Sequence, residues 1–424
     1  MRGGYARCGI LSRNSLHSEL SKHVILRLRW ASSFSDLVCQ CMGASPQAIL
    51  SVLSGLALQP NFEGSLARNL IETTKSQIDN RRPWHDSRLP LPHPLEYDWR
   101  FSKATNSWIL NVIKEIGGQQ VEKILFVGTP TTALHAADSG FDARLLLAAR
   151  SEDPVVCAVL EHAPTIVPYR EWNVNDTLKV DVAVVDPPWY DSIALPMMAF
   201  AVRSVRPGGL IMWFGPDELT APSSAEVFRD LSRHGSTLGL EKVELLDQRA
   251  HYETPFFEKR SMVAAGIFDV HPQWRTGKAW IARRSHYGVD TVEYTKAPSR
   301  WAEINVLGSR IRFDISAFDS ERLRLPRFEI LTLASRADPK RFGSTIWTSG
   351  NAVARMTGAA DLWSQRESPL VSKALARVAR EEAKAFNELM HSSEMHAKQA
   401  ETDRKTRASV HPILYPSKPV RLAS

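Results

Sequence analysis

The apolar positions of this chain change period several times, and each change marks an element. From Phe34 the spacing of Leu37, Val38, Cys41 and Met42 is helical, Gly43-Ala44 interrupts it, and Ser45-Pro46 supply a cap and a first helical position before Ala48, Ile49, Val52 and Leu53 resume it. This predicts helix, short turn, helix, a spacing shared by helix-turn-helix and winged-helix modules and by ordinary helical hairpins. Trp108, Ile109, Val112, Ile113 and Ile116 predict a second helical segment from about Thr105 to Ile116. Short, continuous apolar runs then appear at Lys123 to Gly128, Ala143 to Ala149, Thr165 to Val167 and Val180 to Val185, the pattern of strands buried on both faces. Ile193 to Val205 reads as a helix ended by Arg206-Pro207-Gly208-Gly209, and Leu210 to Phe214 as a fifth strand. Glu226 to His234 is a further helix, and Val243 to Leu246 opens a sixth strand. Strands alternating with helices predict an α/β domain around a mostly parallel sheet.

The flanks differ. Residues 1–33 contain arginine and serine with Glu19 as the one acid, which fits a disordered terminus or a transit peptide. Pro60 to Pro94 reads as a connector ending in Leu89-Pro90-Leu91-Pro92-His93-Pro94. Past Pro272, Trp301 to Phe313 predicts a hairpin turned at Gly308 and Phe328 to Leu333 another strand. Leu370 to Met390 carries apolar residues at helical spacing among dense charges, as a surface or partner-binding helix does. The expected organisation is a disordered 1–33, a helical module and linker over 34–94, an α/β domain over 95–272, a basic α+β extension over 273–403 and a disordered tail over 404–424.

No run of apolar residues is long enough to span a bilayer. The four cysteines, Cys8, Cys39, Cys41 and Cys157, form no CxxC pair, which argues against a zinc site or a disulfide framework and for a reducing, cytoplasmic setting. Charge becomes informative when it is divided along the chain. Residues 1–121 hold 14 basic and 9 acidic residues, 122–275 hold 14 and 21, and 276–424 hold 25 and 16. The basic flanks predict a polyanionic partner such as nucleic acid, whereas the acidic middle would suit a cationic substrate.

The chemistry concentrates at Asp186-Pro187-Pro188-Trp189-Tyr190, which leaves the run Val180 to Val185 at the carboxyl end of the predicted strand, where open α/β sheets place ligands. Two prolines remove two N–H donors, so the turn presents acceptors, the Asp186 carboxylate and backbone carbonyls, to a group that donates, such as an amine. Trp189 and Tyr190 add flat faces for stacking. This stretch resembles the catalytic motif of class I S-adenosylmethionine-dependent amino-methyltransferases, the N6-adenine and N4-cytosine type. It also resembles the Asp-Pro-Pro-Tyr motif of branched-chain polyamine synthases, which transfer an aminopropyl group on a similar fold.

The resemblance implies a Rossmann-like sheet over 95–272, S-adenosylmethionine as cofactor, no metal, and a nucleobase amine in nucleic acid as acceptor. Asp186 and the Pro187 carbonyl would hold the amine while Trp189 or Tyr190 stacks on the base. It places the cofactor's methionine part at Gly128, Thr131 and Thr132, although of the family's glycines only Gly128 stands in Gly128-Thr129-Pro130-Thr131-Thr132. The acid that would bind the ribose is replaced by Ala148-Ala149-Arg150, leaving Glu152 or Asp153 to take its role. Asn173, Asn175 or Asp176 would meet the adenine, and Tyr97 and Asp98 would close over the cofactor. The sixth strand would run parallel and Met262 to Phe268 antiparallel, which hangs His251 to Glu258 beside Asp186. Phe256 and Phe257 in that loop would be either a stacking platform for substrate or a buried plug. Two other readings stay open: an aminopropyltransferase acting on polyamines, and a binding protein on the same scaffold that has lost its cofactor.

Overall fold

A computed structural model describes residues 13–76, 88–90, 92–95, 99–117, 121–149, 154–170, 179–189, 191–221, 225–226, 228–229, 239–285, 301–307, 309–314, 329–331, 346–350, 353–355 and six positions between 373 and 384. Its centre is a sheet built from β1 (Lys123–Val127), β2 (Arg144–Ala149), β3 (Val167–Arg170), β4 (Val180–Val185), β5 (Val205–Pro216), β6 (Leu240–Leu245), β7 (Ala250–His251) and β8 (Thr276–Arg284). The spatial order is β3-β2-β1-β4-β5-β8-β6, with β7 pairing β8. The first five strands are parallel, and β8 runs antiparallel to both β5 and β6. This is the mixed α/β, Rossmann-like sheet that the resemblance implies.

The elements follow from the side chains. In β4, Val180 and Val182 to Val185 are buried and Asp181 is half-buried. The Asp181 carboxylate accepts the Glu122 and Lys123 amides at 2.9 and 2.8 Å, which fixes the register of β1 against β4 at the amino end of the sheet. Helix α5 (Lys103–Gly117) buries Ile109, Val112 and Ile113 against the sheet, while Ile116 at its end is exposed. Helices α6 (Pro130–Asp138), α7 (Pro154–His162) and α8 (Asp191–Ser204) are the crossovers.

Four expectations are corrected here. The antiparallel return strand is β8, not Met262 to Phe268, so the sheet extends past residue 272 to Arg284. The third strand starts at Val167 rather than Thr165. The fifth is longer than Leu210 to Phe214, because Val205 already pairs Val180 and residues 206–209 are accommodated as an irregularity before Leu210 meets Val182. Residues 1–33 and the connector both contain helix. Helix α1 (Arg13–Leu28) buries Leu20, Val24 and Leu28, and α4 (Phe62–Ser76) buries Ala67 and Leu70.

With α2 (Phe34–Gln40) and α3 (Pro46–Ala57), these form a helical module whose described residues include no strand. It shares one apolar cluster with Leu219, Met262, Ile267, Val270 and Trp274 from the sheet domain. The left-handed pair Met42-Gly43 between α2 and α3 docks there: Thr220 donates to the Met42 carbonyl at 3.0 Å. Past β8 lies a second, antiparallel sheet. It holds β9 (Trp301–Val306), β10 (Ser309–Asp314), β11 (Glu329–Leu331), β12 (Ile346–Thr348) and β13 (Val353–Arg355), in the order β11-β13-β12-β10-β9. The hairpin turned near Gly308 and a strand within 328–333 are present. The helix expected over Glu226 to His234 and the helix over Leu370 to Met390 fall mostly outside the described residues, and the tail wholly so.

Candidate active site

The chain leaves β4 at Asp186, whose amide donates to the Val127 carbonyl at 3.0 Å and so continues the pairing with β1 by one residue. Gly128, the next residue on β1's side, has φ +71° and lies so close to the Asp186 carbonyl that no side chain fits between them. Asp186 is half-buried, while Pro187 and Trp189 are buried. The carboxylate is held as well: Oδ1 accepts the Tyr252 hydroxyl at 2.9 Å.

Tyr252 arrives from just past β7, in a single antiparallel bridge with Phe101. Its ring sits 4.9 Å from that of Phe101 and edge-on to Trp189 at 5.7 Å, and Phe101 in turn meets Phe214 of β5 at 4.6 Å. Complete burial and then the Asp186 charge push the phenol well above its usual pKa, with the Arg275 cation pulling the other way. Tyr252 is therefore a proton-bearing donor across the working pH range. Beside it the Arg275 guanidinium is stacked between two indoles, 4.1 Å from the Trp99 ring and 4.3 Å from that of Trp189. One face of Trp189 is thereby taken by a cation.

On the other side of Asp186, α6 begins after Thr129 with Pro130 as its first residue and without a side-chain cap. The Thr129 hydroxyl is 3.5 Å from the Val184 carbonyl instead. A helix start whose amides have no capping side chain, at the positive end of the helix dipole, suits an anionic group. Residues 128–132 contain no acid. Thr131 and Thr132 are both buried, and the Thr132 hydroxyl is spent on Asn106 of α5 at 2.7 Å.

The structure thus brings Asp186, Pro187, Trp189 and Gly128 to one point on the carboxyl edge. Phe256 and Phe257 are not in a loop: they open helix α9 (Phe256–Ala264), because Pro255 supplies its N-cap. Phe257 is buried, and half-buried Phe256 has the Arg260 guanidinium over one face of its ring at 4.7 Å. Tyr190, Tyr97, Asp98, Glu152, Asp153 and Asp176, with Asn173 and Asn175, lie outside the described residues. The connection His251 to Glu258 does lie beside Asp186 as expected, but the contact is made by Tyr252 rather than by the two phenylalanines singled out there, and sequence reasoning gave no role at the site to Arg275, Trp99 or Phe101. The signal for Tyr252 was that this connection carries one tyrosine. Helix α3, the reading helix of a helix-turn-helix, has no charged residue, and the turn before it is docked on the sheet domain.

No family model and no curated protein sequence matches the chain. Solved structures are similar to it. The branched-chain polyamine synthase of Thermus thermophilus, in complex with N4-aminopropylspermidine and 5′-methylthioadenosine, is 11% identical over 67% of this chain and 91% of that one, with a TM-score of 0.46. A putative RNA methyltransferase of Pyrococcus horikoshii is 12% identical over 46% and 92%, at 0.34. A precorrin-6y C5,15-methyltransferase of Geobacter metallireducens is 11% identical over 50% and 99%, at 0.31. Likeness of this degree extends to the backbone and no further, and the fold class is defined by the strand order and register above.

Proposed function

We propose that this chain transfers a methyl group from S-adenosylmethionine to an amine nitrogen held at Asp186, with the exocyclic amino group of a nucleobase as acceptor. The observation that carries the reading is the convergence on one edge of a carboxylate fixed by Val127 and Tyr252, the Gly128 turn and the uncapped start of α6. The described start of α6 suits the cofactor's anionic end. The amides at the start of α6 would take its carboxylate, Gly128, Thr131 and Thr132 would line its methionine part, and Glu152 or Asp153 would take the ribose hydroxyls. Asp176 would meet the adenine, and Tyr97 and Asp98 would close the site. When bound, the sulfonium supplies an already activated methyl group.

What remains for the chain is placement. Asp186 and the Pro187 carbonyl accept the amine hydrogens, turn the nitrogen lone pair toward the donor, and offset the positive charge that develops on nitrogen. The burial of Pro187, Trp189 and Tyr252 limits the access of water to one side of this corner. The basic 273–403 extension and N-terminal residues support a phosphate-bearing acceptor, while α3 does not contribute to that charge. The test is methyl transfer by the full chain to nucleic acid, together with calorimetric titration of S-adenosylmethionine. Labelled methyl on the nucleobase supports the reading, and its absence with cofactor bound refutes the acceptor.

A second reading, aminopropyl transfer to a polyamine, is favoured by one observation: Arg275 occupies a face of Trp189 on which a base would stack. An aliphatic amine needs no such face, and the acidic middle of the chain suits it. Against it, a decarboxylated donor would leave the start of α6 without its anion. Titrating both donors separates the two readings, and binding of neither would leave the scaffold without a transfer function.

A further inference from the structure

We propose that Tyr252 is a positioning residue that fixes the orientation of the Asp186 carboxylate; its catalytic consequence rests on the reading of Asp186 given above. The main chain at Asp186 is already set by its amide bond to Val127, so the rotation of the carboxylate is what remains to be fixed. The Tyr252 hydroxyl fixes it by donating to Oδ1 at 2.9 Å.

The phenol is suited to this because it has no room to turn away. Phe101 lies against its ring at 4.9 Å and Trp189 meets it edge-on at 5.7 Å. Gly277 is so close that a methyl group there would come within 3.2 Å of the ring and 3.3 Å of the hydroxyl. The backbone is tied down too, with the Tyr252 amide donating to the Arg275 carbonyl at 3.0 Å. The charged groups that face it are Asp186 from the turn after β4 and Arg275 from the segment leading into β8. A phenylalanine would serve the packing equally well. Burying a hydroxyl completely is favourable only when it has a partner, and here the partner is the carboxylate of the catalytic turn.

The contact also joins parts of the chain that the 186–189 motif does not contain. Asp186 follows β4, Tyr252 follows β7, and Phe101 precedes α5. The order of the carboxylate thus depends on strands added at the far side of the sheet.

The test is Tyr252→Phe in the full chain, which keeps the ring and removes one oxygen. The kcat for methyl transfer is expected to fall about tenfold with KM for S-adenosylmethionine unchanged. The acid limb of kcat should move to higher pH, because the ionised carboxylate has lost a donor. Unchanged kcat and an unchanged limb would overturn the proposal. A second arm needs no turnover: tyrosine is carbon-labelled at Cζ, the Tyr252 resonance is assigned by its loss in Tyr252→Phe, and its shift is read in Asp186→Asn. A moved resonance supports the contact even if the parent transfers nothing, in which case the methyl-transfer reading falls while the orienting bond stands. A resonance at its parent position overturns the proposal.

Discussion

The carbonyl of Asp186 stands where a side chain on Gly128 would have to go. Gly128 also has φ +71°, a conformation that costs an L-residue about 1–2 kcal/mol, and its would-be neighbour is backbone, which cannot rotate aside. Gly128→Ala is therefore expected to lower stability by more than about 2 kcal/mol, read as the midpoint of chemical denaturation. Gly140 has φ +62° but open space around it, so Gly140→Ala should cost only the conformational part. Equal losses at the two sites would show that the approach to Asp186 is not tight.

Asp186→Ala is expected to abolish transfer while the fold survives. The residue is half-buried at a turn, and loss of a preorganised partner in the transition state costs roughly 3 kcal/mol, or about a hundredfold in rate. Single-turnover kinetics and a denaturation curve on the same preparation check both halves. Unchanged turnover would remove Asp186 from the mechanism.

The parts of this molecule that were legible in its sequence are those whose partners are near in sequence or implied by a run of one kind. Val180 to Val185 could only be an interior strand, and Phe34 to Leu53 could only be a helical pair. Chemistry built across the sheet was legible only in part: the connection His251 to Glu258 was expected beside Asp186, but not which of its residues would meet the carboxylate. Tyr252 and Arg275 take their meaning from Asp186 and Trp189, residues some 60 to 90 positions away, and no local spacing announces such contacts. Phe256-Phe257 misled for a related reason. Pro255 turned an apparent loop into a helix start, and Pro is as good an opening for a helix as a breaker of one. Helix α1 was hidden because its buried side, Leu20, Val24 and Leu28, lies in a stretch whose composition is otherwise that of a leader.

Asp181 makes the amino end of the sheet acid-sensitive. Its carboxyl lies below the usual range: burial pushes it up, but the Arg206 guanidinium at 2.5 Å and the Lys123 and Glu122 amides outweigh that. A depressed folded-state pKa gives stability that is present above the unfolded value near 3.9 and lost as pH falls through the folded one. Asp181→Asn should therefore lower the unfolding midpoint at pH 7 and narrow the gap from the parent near pH 3. A deficit that stays constant with pH would mean that the charge has no part.

Cys41 and Cys39 should react differently although only Gln40 separates them. Burial pushes the Cys41 thiol up to about 12, with Arg27 opposing weakly, whereas Cys39 is exposed. Alkylation under native conditions at neutral pH is expected to label Cys39 and Cys157 and to reach Cys41 only after denaturation, as peptide mapping would show. Early labelling of Cys41 would mean that the α2–α3 turn opens readily.

Mutation of Glu152 and Asp153 together to alanine is expected to weaken S-adenosylmethionine binding about tenfold, because ribose hydroxyls without an acceptor cost roughly 1–3 kcal/mol each. Glu161→Ala on α7 serves as the control and should bind as the parent does. Calorimetry that finds the double variant as tight as the parent would place the ribose elsewhere.

The apolar cluster shared by the helical module and the sheet domain bears on how this protein can be divided. Leu219, Met262, Ile267, Val270 and Trp274 fill the same interior as Leu20, Val24, Phe34, Leu37 and Leu53. Residues 13–76, grafted onto another protein, would carry an oily surface and no filling for it. The amino-terminal helices are thus not a detachable head: they can be inherited, swapped or lost only together with the segment from Met262 to Trp274 on which they close.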